Sequence, residues 1–435
     1  MSNAAEAVSR SRAGLWLPAL LPLLLAGRLL AQTAPLPVLP PQPEPSPGPE
    51  SPGEAQPVPG RPGETQQRPQ PWEYVLGLGG GWDSNIDFLV PDGAGGATLV
   101  PRGSVVRTLW NPRGQLRVLA KGRWVAYTDE RHQDRGYADF GLDGRYRTSP
   151  RTDWKASASY SLGHTDTSQP LLEQGVLLPL SQTHTLTGTL ALAQDLGERT
   201  ALKVDGRFYG VSFEAPDLID QASLRGTAAL ERRLGARSTA ALEYSLEDVL
   251  SDQTGLSYLT HFGSAQWTRV LSPRTALLLE GGASYTPDTL SAGLDRATSF
   301  FGGASLTFRP QGASVELFLR REVAPAFGTG ASRLSLRAGL SAAASLGRDW
   351  ALELGGNHVD PESPASASEE YPTSDDVSLV LGRRLGGRFR VSAEASFRHR
   401  GATGTREALS SVQAGLFMSL VGPPLAAGRQ PASGR

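Results

Sequence analysis

The chain of 435 residues contains no cysteine and only two methionines. Without cysteine there is no disulfide framework, no thiolate metal site, no cysteine nucleophile and no lipidated cysteine at a processing site. Charge of one sign is also lacking: 42 Lys and Arg stand against 43 Asp and Glu, a formal net charge of -1. No basic field points to nucleic acid, and no acidic excess points to a basic partner. Past the N-terminal segment there is no run of about 20 apolar residues, which excludes a helical membrane protein beyond a leader. Histidine is sparse: His132, His164, His184, His261, His358 and His399 show no metal-ligand spacing, and no serine stands in a glycine-flanked strained-turn motif. A serine–histidine pairing across strands is the one catalytic route left open by spacing alone. The expectation is a protein without catalytic residues, metal or cofactor. What the chain does have is glycine, 50 residues of it, which suits strands and turns better than helices.

The N-terminal segment reads as a secretory signal. Arg10 and Arg12 supply a positive start, Leu15 to Leu25 an apolar core broken by Pro18 and Pro22, and Ala31 a small residue before a cut. Residues 1–31 are therefore expected to be a signal peptide, with an uncleaved anchor as the alternative. Fourteen of the 39 residues from Thr33 to Pro71 are proline. Such a segment cannot bury enough apolar surface to offset its ordering entropy, so residues 32–71 are expected to be a disordered, partly polyproline II periplasmic linker.

From Trp72 the pattern changes to period-2 alternation. Trp154, Ala156, Ala158, Tyr160 and Leu162 share one face, and Lys155, Ser157, Ser159 and Ser161 the other. Leu202, Val204, Gly206 and Phe208 alternate with Lys203, Asp205 and Arg207; Phe389, Val391, Ala393, Ala395 and Phe397 alternate with Arg390, Ser392, Glu394, Ser396 and Arg398. This is strand and not helix periodicity. The segments are longer than strands of a soluble sandwich and fit tilted strands crossing a bilayer. Tight turns fall at Asn111–Gly114, Ser149–Thr152, Leu196–Arg199, Leu234–Arg237, Leu271–Arg274, Arg309–Gly312, Leu346–Asp349 and Leu385–Arg388. The more variable segments Asp87–Gly103, Thr165–Ser181, Pro287–Asp295 and Asp360–Ser374 alternate with them and read as outer loops. None suggests a loop folded into a pore. Eight hairpin turns plus a strand at each end predict an all-β, antiparallel up-and-down transmembrane barrel of about 18 strands over residues 72–421. A short tail, residues 422–435, follows. A soluble propeller is the alternative, but propeller blades bury both faces of most strands. Here one face is polar along most of its length, as lipid outside and water inside demand.

At the end of the first strand stands Trp82-Asp83-Ser84-Asn85-Ile86, after a glycine-rich run. This aromatic-Asp-Ser-Asn-aliphatic motif resembles that of the outer-membrane β-barrel porin families of Gram-negative bacteria. One branch of these is associated with exopolysaccharide assembly of the Wzx/Wzy type, and similar barrels close surface-lipoprotein assembly modulators. The helical repeat domain expected before a modulator's barrel has no counterpart here. The resemblance implies a cell outer-membrane location and a role in moving exopolysaccharide or capsular polysaccharide outward, with polysaccharide and periplasmic export components as partners. A general or substrate-specific diffusion porin, or a non-conducting assembly protein, are the alternatives. Beside Trp82, the small polar Asp83, Ser84 and Asn85 would cap backbone groups where the strand leaves the sheet, or touch a cation or sugar at the mouth. The last strand, Ser410–Leu420, resembles the segment read by the barrel-insertion machinery, although Met418 and Leu420 stand where aromatics are usual. Outer-membrane lipid is the remaining partner, and no nucleic acid is expected.

Alternation also nominates a pore lining. Arg117, Lys121 and Arg123 share one face of their strand; Arg333 and Arg337, then Arg384, then Arg388, Arg390 and Arg398 do so on later strands. A hydrated, salt-bridged wall explains them, as does a lining biased toward anionic or hydroxyl-rich solutes, since guanidinium pairs well with carboxylates.

Overall fold

A computed structural model describes residues 72–85, 95–128, 134–165, 181–216, 218–251, 257–292, 294, 297–326, 331–362, 373–402 and 407–422. The chain divides into a segment Met1–Pro59, outside the described residues, and a unit Gly60–Arg435 that holds every described strand. The expected signal peptide, Pro-rich linker and C-terminal tail beyond Gly422 also lie outside the described residues.

The strands are β1 (Trp72–Asp83), β2 (Gly96–Asn111), β3 (Gly114–Tyr127), β4 (Arg135–Ser149), β5 (Thr152–His164), β6 (Gln182–Asp195), β7 (Thr200–Phe213), β8 (Gln221–Gly235) and β9 (Ser238–Ser251). They continue as β10 (Ser257–Ser272), β11 (Thr275–Tyr285), β12 (Thr298–Phe308), β13 (Ala313–Ala326), β14 (Ala331–Leu346), β15 (Trp350–Glu362), β16 (Ser374–Leu385), β17 (Phe389–Arg400) and β18 (Leu409–Gly422). A four-residue helix, α1 (Thr289–Ala292), lies between β11 and β12. All 18 strands form one sheet in which each pairs with its neighbours in sequence, and β1 pairs antiparallel with β18 to close it. Closure leaves no edge strand, so every ladder is satisfied inside the sheet, the condition for crossing hydrocarbon with strands.

All eight predicted turns join consecutive strands at one end of the barrel. Gly386 sits at φ 68° in the turn between β16 and β17, a conformation that costs a residue without Cβ little. The expected loop Asp87–Gly103 is shorter than the sequence suggested, because β2 already begins at Gly96. Pro101, which reads as a loop residue, lies inside the strand. Lacking an N–H, it leaves the β2–β3 ladder open between Leu99↔Ala126 and Arg102↔Arg123 without shifting the register. Likewise β15 runs on through Glu362, so the loop expected from Asp360 starts later.

Strand faces separate cleanly. Leu76 and Leu78 of β1, Leu242 and Tyr244 of β9, Phe300 of β12, Leu317 and Leu319 of β13, and Leu416 and Met418 of β18 are all exposed, Leu416 by 66 % and Phe300 by 69 %. Large apolar side chains left this open in a continuous belt are stable only against lipid. At the turn end, outward tryptophans carry arginines over their rings: Arg107 over Trp72 at 4.8 Å, Arg269 over Trp267 at 5.9 Å and Arg383 over Trp350 at 5.1 Å. Near the loop end the outward face pairs tyrosine with histidine: Tyr160 with His184 and Tyr244 with His261, both at 2.7 Å. These are the two interfacial belts of a membrane barrel, amphipathic rings at the depth where hydrocarbon meets headgroups. Trp110 lies apart from both belts, on the inward face of β2 opposite Gln115.

Candidate pore lining and the strand seam

The Trp82–Asn85 motif is built into the closure of the barrel. Trp82 points outward with Leu76 and Leu78, while Asp83, one residue on, points inward and is only 5 % exposed. Asp83 Oδ1 accepts from Ser411 Oγ (2.9 Å) and from the N–H of Asn85 (3.0 Å), and its Oδ2 accepts from Gln413 Nε2 (2.8 Å). The Ser84 N–H donates to the Val412 carbonyl (2.9 Å), and Ser84 Oγ accepts from the Val412 N–H (2.8 Å). Asn85 Nδ2 donates to the Ser410 carbonyl at 3.3 Å. Each polar residue of the motif thus bonds to β18, and together they extend the β1–β18 ladder by a turn beyond its last pair, Asp83↔Gln413. Sequence reading placed these groups as local caps; only the closed topology shows that the backbone they satisfy belongs to the far end of the chain.

A second clasp crosses the same seam from inside. The inward face of β1 carries Gly77, Gly79 and Gly81, a smooth strip onto which neighbouring side chains fold. A Cβ built on Gly79 would lie 2.0 Å from Cδ1 of Phe417, so the ring rests directly on the β1 backbone. Arg102 of β2 stacks over that ring at 4.1 Å. It then reaches β17, donating from Nη1 to Glu394 Oε1 at 2.9 Å and from Nη2 to Ser392 Oγ at 3.4 Å. Arg102 therefore spans β1 and β18 to reach β17. The alternating glycines were the signal available in the sequence for this arrangement.

The nominated basic residues are spread around the wall and form no single cluster. Arg117, Lys121 and Arg123 lie on the inward face of β3, opposite Asp143, Asp139 and Tyr137 of β4. Arg123 stacks on Tyr137 at 4.2 Å. Arg333 and Arg337 lie on the inward face of β14, Arg384 on that of β16, and Arg390 and Arg398 on that of β17. Arg388 is different: it stands in the turn before β17, its carbonyl accepting from the Val421 N–H at 2.7 Å. The Gly386 turn takes up the residue that strand alternation had assigned to the wall. Among the inward arginines of the later strands, several are neutralised locally: Arg337 by Glu322 (2.9 Å), Arg398 by Asp376 (3.1 Å) and Arg390 by Glu353 (4.0 Å). Lys203 is likewise bound to Glu231 (2.6 Å) and Arg145 to Asp153 (3.0 Å). In contrast, Lys121, Arg123, Asp139 and Asp143 at mid-height on β3 and β4 are exposed. Among the described residues, no group of three or more His, Asp or Glu is arranged to hold a metal ion.

A family model described as "Putative beta-barrel porin 2" matches residues 75–234, from β1 into β8. A search of curated proteins returns no match. Solved structures of similar shape include the siderophore receptor PirA from Pseudomonas aeruginosa (TM-score 0.43, 10 % identity, covering 81 % of this chain and 80 % of that one). Pseudomonas aeruginosa OpdQ aligns with TM-score 0.44 and 10 % identity over 82 % and 98 % of the two chains. Acinetobacter baumannii OccAB3 aligns with TM-score 0.41 and 9 % identity over 81 % and 99 %. The closed sheet, the lipid-facing apolar belt, the hydrated inner wall and the matched family model together make the chain a porin-like β-barrel of the cell outer membrane.

Proposed function

We propose that the barrel is a passive, water-filled pore for polar and charged solutes, working without covalent chemistry. The observation that carries this is the inner wall at mid-height, where Lys121, Arg123, Asp139 and Asp143 are exposed on a face opposite the lipid-facing belt. Exposed charge on the inside of a closed sheet is stable only in contact with water, and a wet lumen of this strand number conducts. The partners on this reading are outer-membrane lipid and the insertion machinery that would read Ser410–Leu420. Residues 1–31 would serve as the export signal and residues 32–71 as a periplasmic spacer.

Export of exopolysaccharide or capsular polysaccharide is the narrower reading. Its support is the likeness of the Trp82–Asn85 motif and the inward arginines. The motif is engaged with β18, and the arginines of β14 and β17 are largely ion-paired; both features favour the simpler pore. Purified protein reconstituted in planar bilayers should give discrete conductance steps. Lys121→Glu with Arg123→Glu should shift the reversal potential toward cation preference. A barrel that folds, inserts and passes no current sinks the pore reading. Loss of surface polysaccharide on gene deletion, with current retained, would raise the export reading above it.

A further inference from the structure

The outer half of the inner wall is not uniformly bare. Two loops fold onto one side of it. In the first, between β7 and β8, Leu218 packs on Val211 and Phe213, all three at most 4 % exposed. The Phe213 N–H donates to Asp220 Oδ1 at 2.8 Å, which draws that loop back over its own strand. In the second, between β11 and β12, Ala292 of α1 is fully buried against Val249 of β9 and Tyr258 of β10, with Leu294 beside it. Val249 and Tyr258 face each other across the β9–β10 ladder, on the side opposite the lipid-facing Leu246 and Leu250. Their cover therefore comes from inside the barrel. Thr260 and Thr286 are joined through their hydroxyls at 2.9 Å, and Ser332 Oγ of β14 donates to Tyr258 Oη at 2.6 Å, tying β14 to β10 beyond the short β11 and β12. No outer loop looked long enough to fold inward; the structure corrects that expectation, because a four-residue helix suffices where the strands beneath it are short.

We infer that these two loops form a one-sided apolar shelf over the β7–β10 wall and set what the pore admits. The inference rests on the pore reading above. With that wall covered, solutes pass along the remainder of the inner wall, which includes β3 and β4. There exposed Lys121 and Arg123 alternate with exposed Asp139 and Asp143 on adjacent strands. Basic and acidic groups side by side along a narrowed, wet path suit small solutes that carry both a cationic and an anionic or hydroxyl group. They do not suit a broad polymer, which would need the covered wall as well.

The absence of cysteine makes single thiols readable. Asp139→Cys should react with a small charged methanethiosulfonate reagent and lose about half of the single-channel conductance. Val249→Cys, at 1 % exposure in the native barrel, should not react. Replacing Asp288–Leu294 by two glycines should make Val249→Cys reactive and raise conductance roughly twofold, with a larger cutoff in polymer exclusion. The ends of that loop are already joined, since the Thr286 N–H donates to the Ala297 carbonyl at 2.8 Å, so a short turn can close it. If Val249→Cys reacts as fast as Asp139→Cys in the intact barrel, the shelf does not exist, and the pore reading stands on the conductance alone. If the thiols behave as expected but no variant conducts, the shelf is real and the pore reading fails. Should the shortened loop prevent folding, the two single thiols in the full-length barrel still decide the matter.

Discussion

Gly79→Ala is the sharpest test of the inner clasp at the seam. The added methyl would lie 2.0 Å from Cδ1 and 2.4 Å from Cε1 of Phe417, far inside van der Waals contact. Because β1 is held on both sides by ladders, the ring must move and not the strand. Overpacking of this kind costs about 1–3 kcal/mol. Moving the ring also removes the face on which Arg102 stacks at 4.1 Å, a further loss of about 0.5–2 kcal/mol. The summed expectation is about 1.5–5 kcal/mol, read as a lower urea midpoint for unfolding from vesicles at unchanged slope. Gly80→Ala is the internal control: its Cβ would point to lipid and meet only the Thr98 carbonyl at 3.6 Å, an ordinary contact. Combining Gly79→Ala with Phe417→Ala should recover most of the Gly79→Ala penalty, since the clash then has no partner. Equal costs at Gly79 and Gly80, or a Gly79→Ala cost that persists without the Phe417 ring, would show that the ring does not rest on β1.

The outer clasp predicts that Asp83→Ala, which strands the donors of Ser411, Gln413 and Asn85, lowers barrel stability by about 2–4 kcal/mol. Asp83→Asn should cost less; similar losses in heat-modifiable gel mobility for both would argue against the hydrogen-bond account. Val204→Arg places a charge on the lipid face, where Val204 is 41 % exposed, and should cost about 2–4 kcal/mol near the midplane. Lys203→Ala removes only the partner of Glu231 in the wet lumen and should fold nearly as the native chain does; insertion yields that fall equally would refute the assignment of faces. Because Arg398 is bound to Asp376 at 3.1 Å, Asp376→Asn should move the reversal potential of the proposed pore toward anions and Arg398→Gln toward cations; no shift in either would show that the pair does not face the conducting path.

Much of the fold was legible because a membrane barrel writes two local signals into its chain. Alternation is enforced at every strand, since lipid and water penalise a misplaced side chain from opposite sides, and this separates Lys203 from Val204 without any knowledge of pairing. Turn chemistry marks the hairpins, so the eight turns and the strand count follow by arithmetic. Errors arose where a residue's local preference was overruled by the ladder or by a turn. Pro101 reads as a loop yet sits in β2, and Arg388 reads as wall yet sits in a turn. The candidate site was less legible, because its contacts join strands distant in sequence. Nothing near Asp83 announces that its acceptors will be filled by Ser411 and Gln413, and nothing near Ala292 announces Val249 and Tyr258 beneath it.

The same distinction bears on what an arginine-rich wall means. From the sequence, the inward arginines of β14 to β17 look like a ladder that would draw anions along the pore. In the structure Arg337 and Arg398 each have a carboxylate of an adjacent strand within 4.0 Å, Arg390 has Glu353 two strands away at 4.0 Å, and Arg102 has Glu394. Paired at that distance, the two charges act on a passing solute as a dipole whose field falls off faster than a single charge, and salt screens what remains over roughly 8–10 Å. In the proposed pore, selectivity then falls to exposed inward groups, among them Lys121, Arg123, Asp139 and Asp143 of β3 and β4 and Arg384 of β16. Counting basic residues on a face therefore overstates the pull that β14 and β17 would exert on a solute in the proposed pore, because Arg337 and Arg398 there are ion-paired.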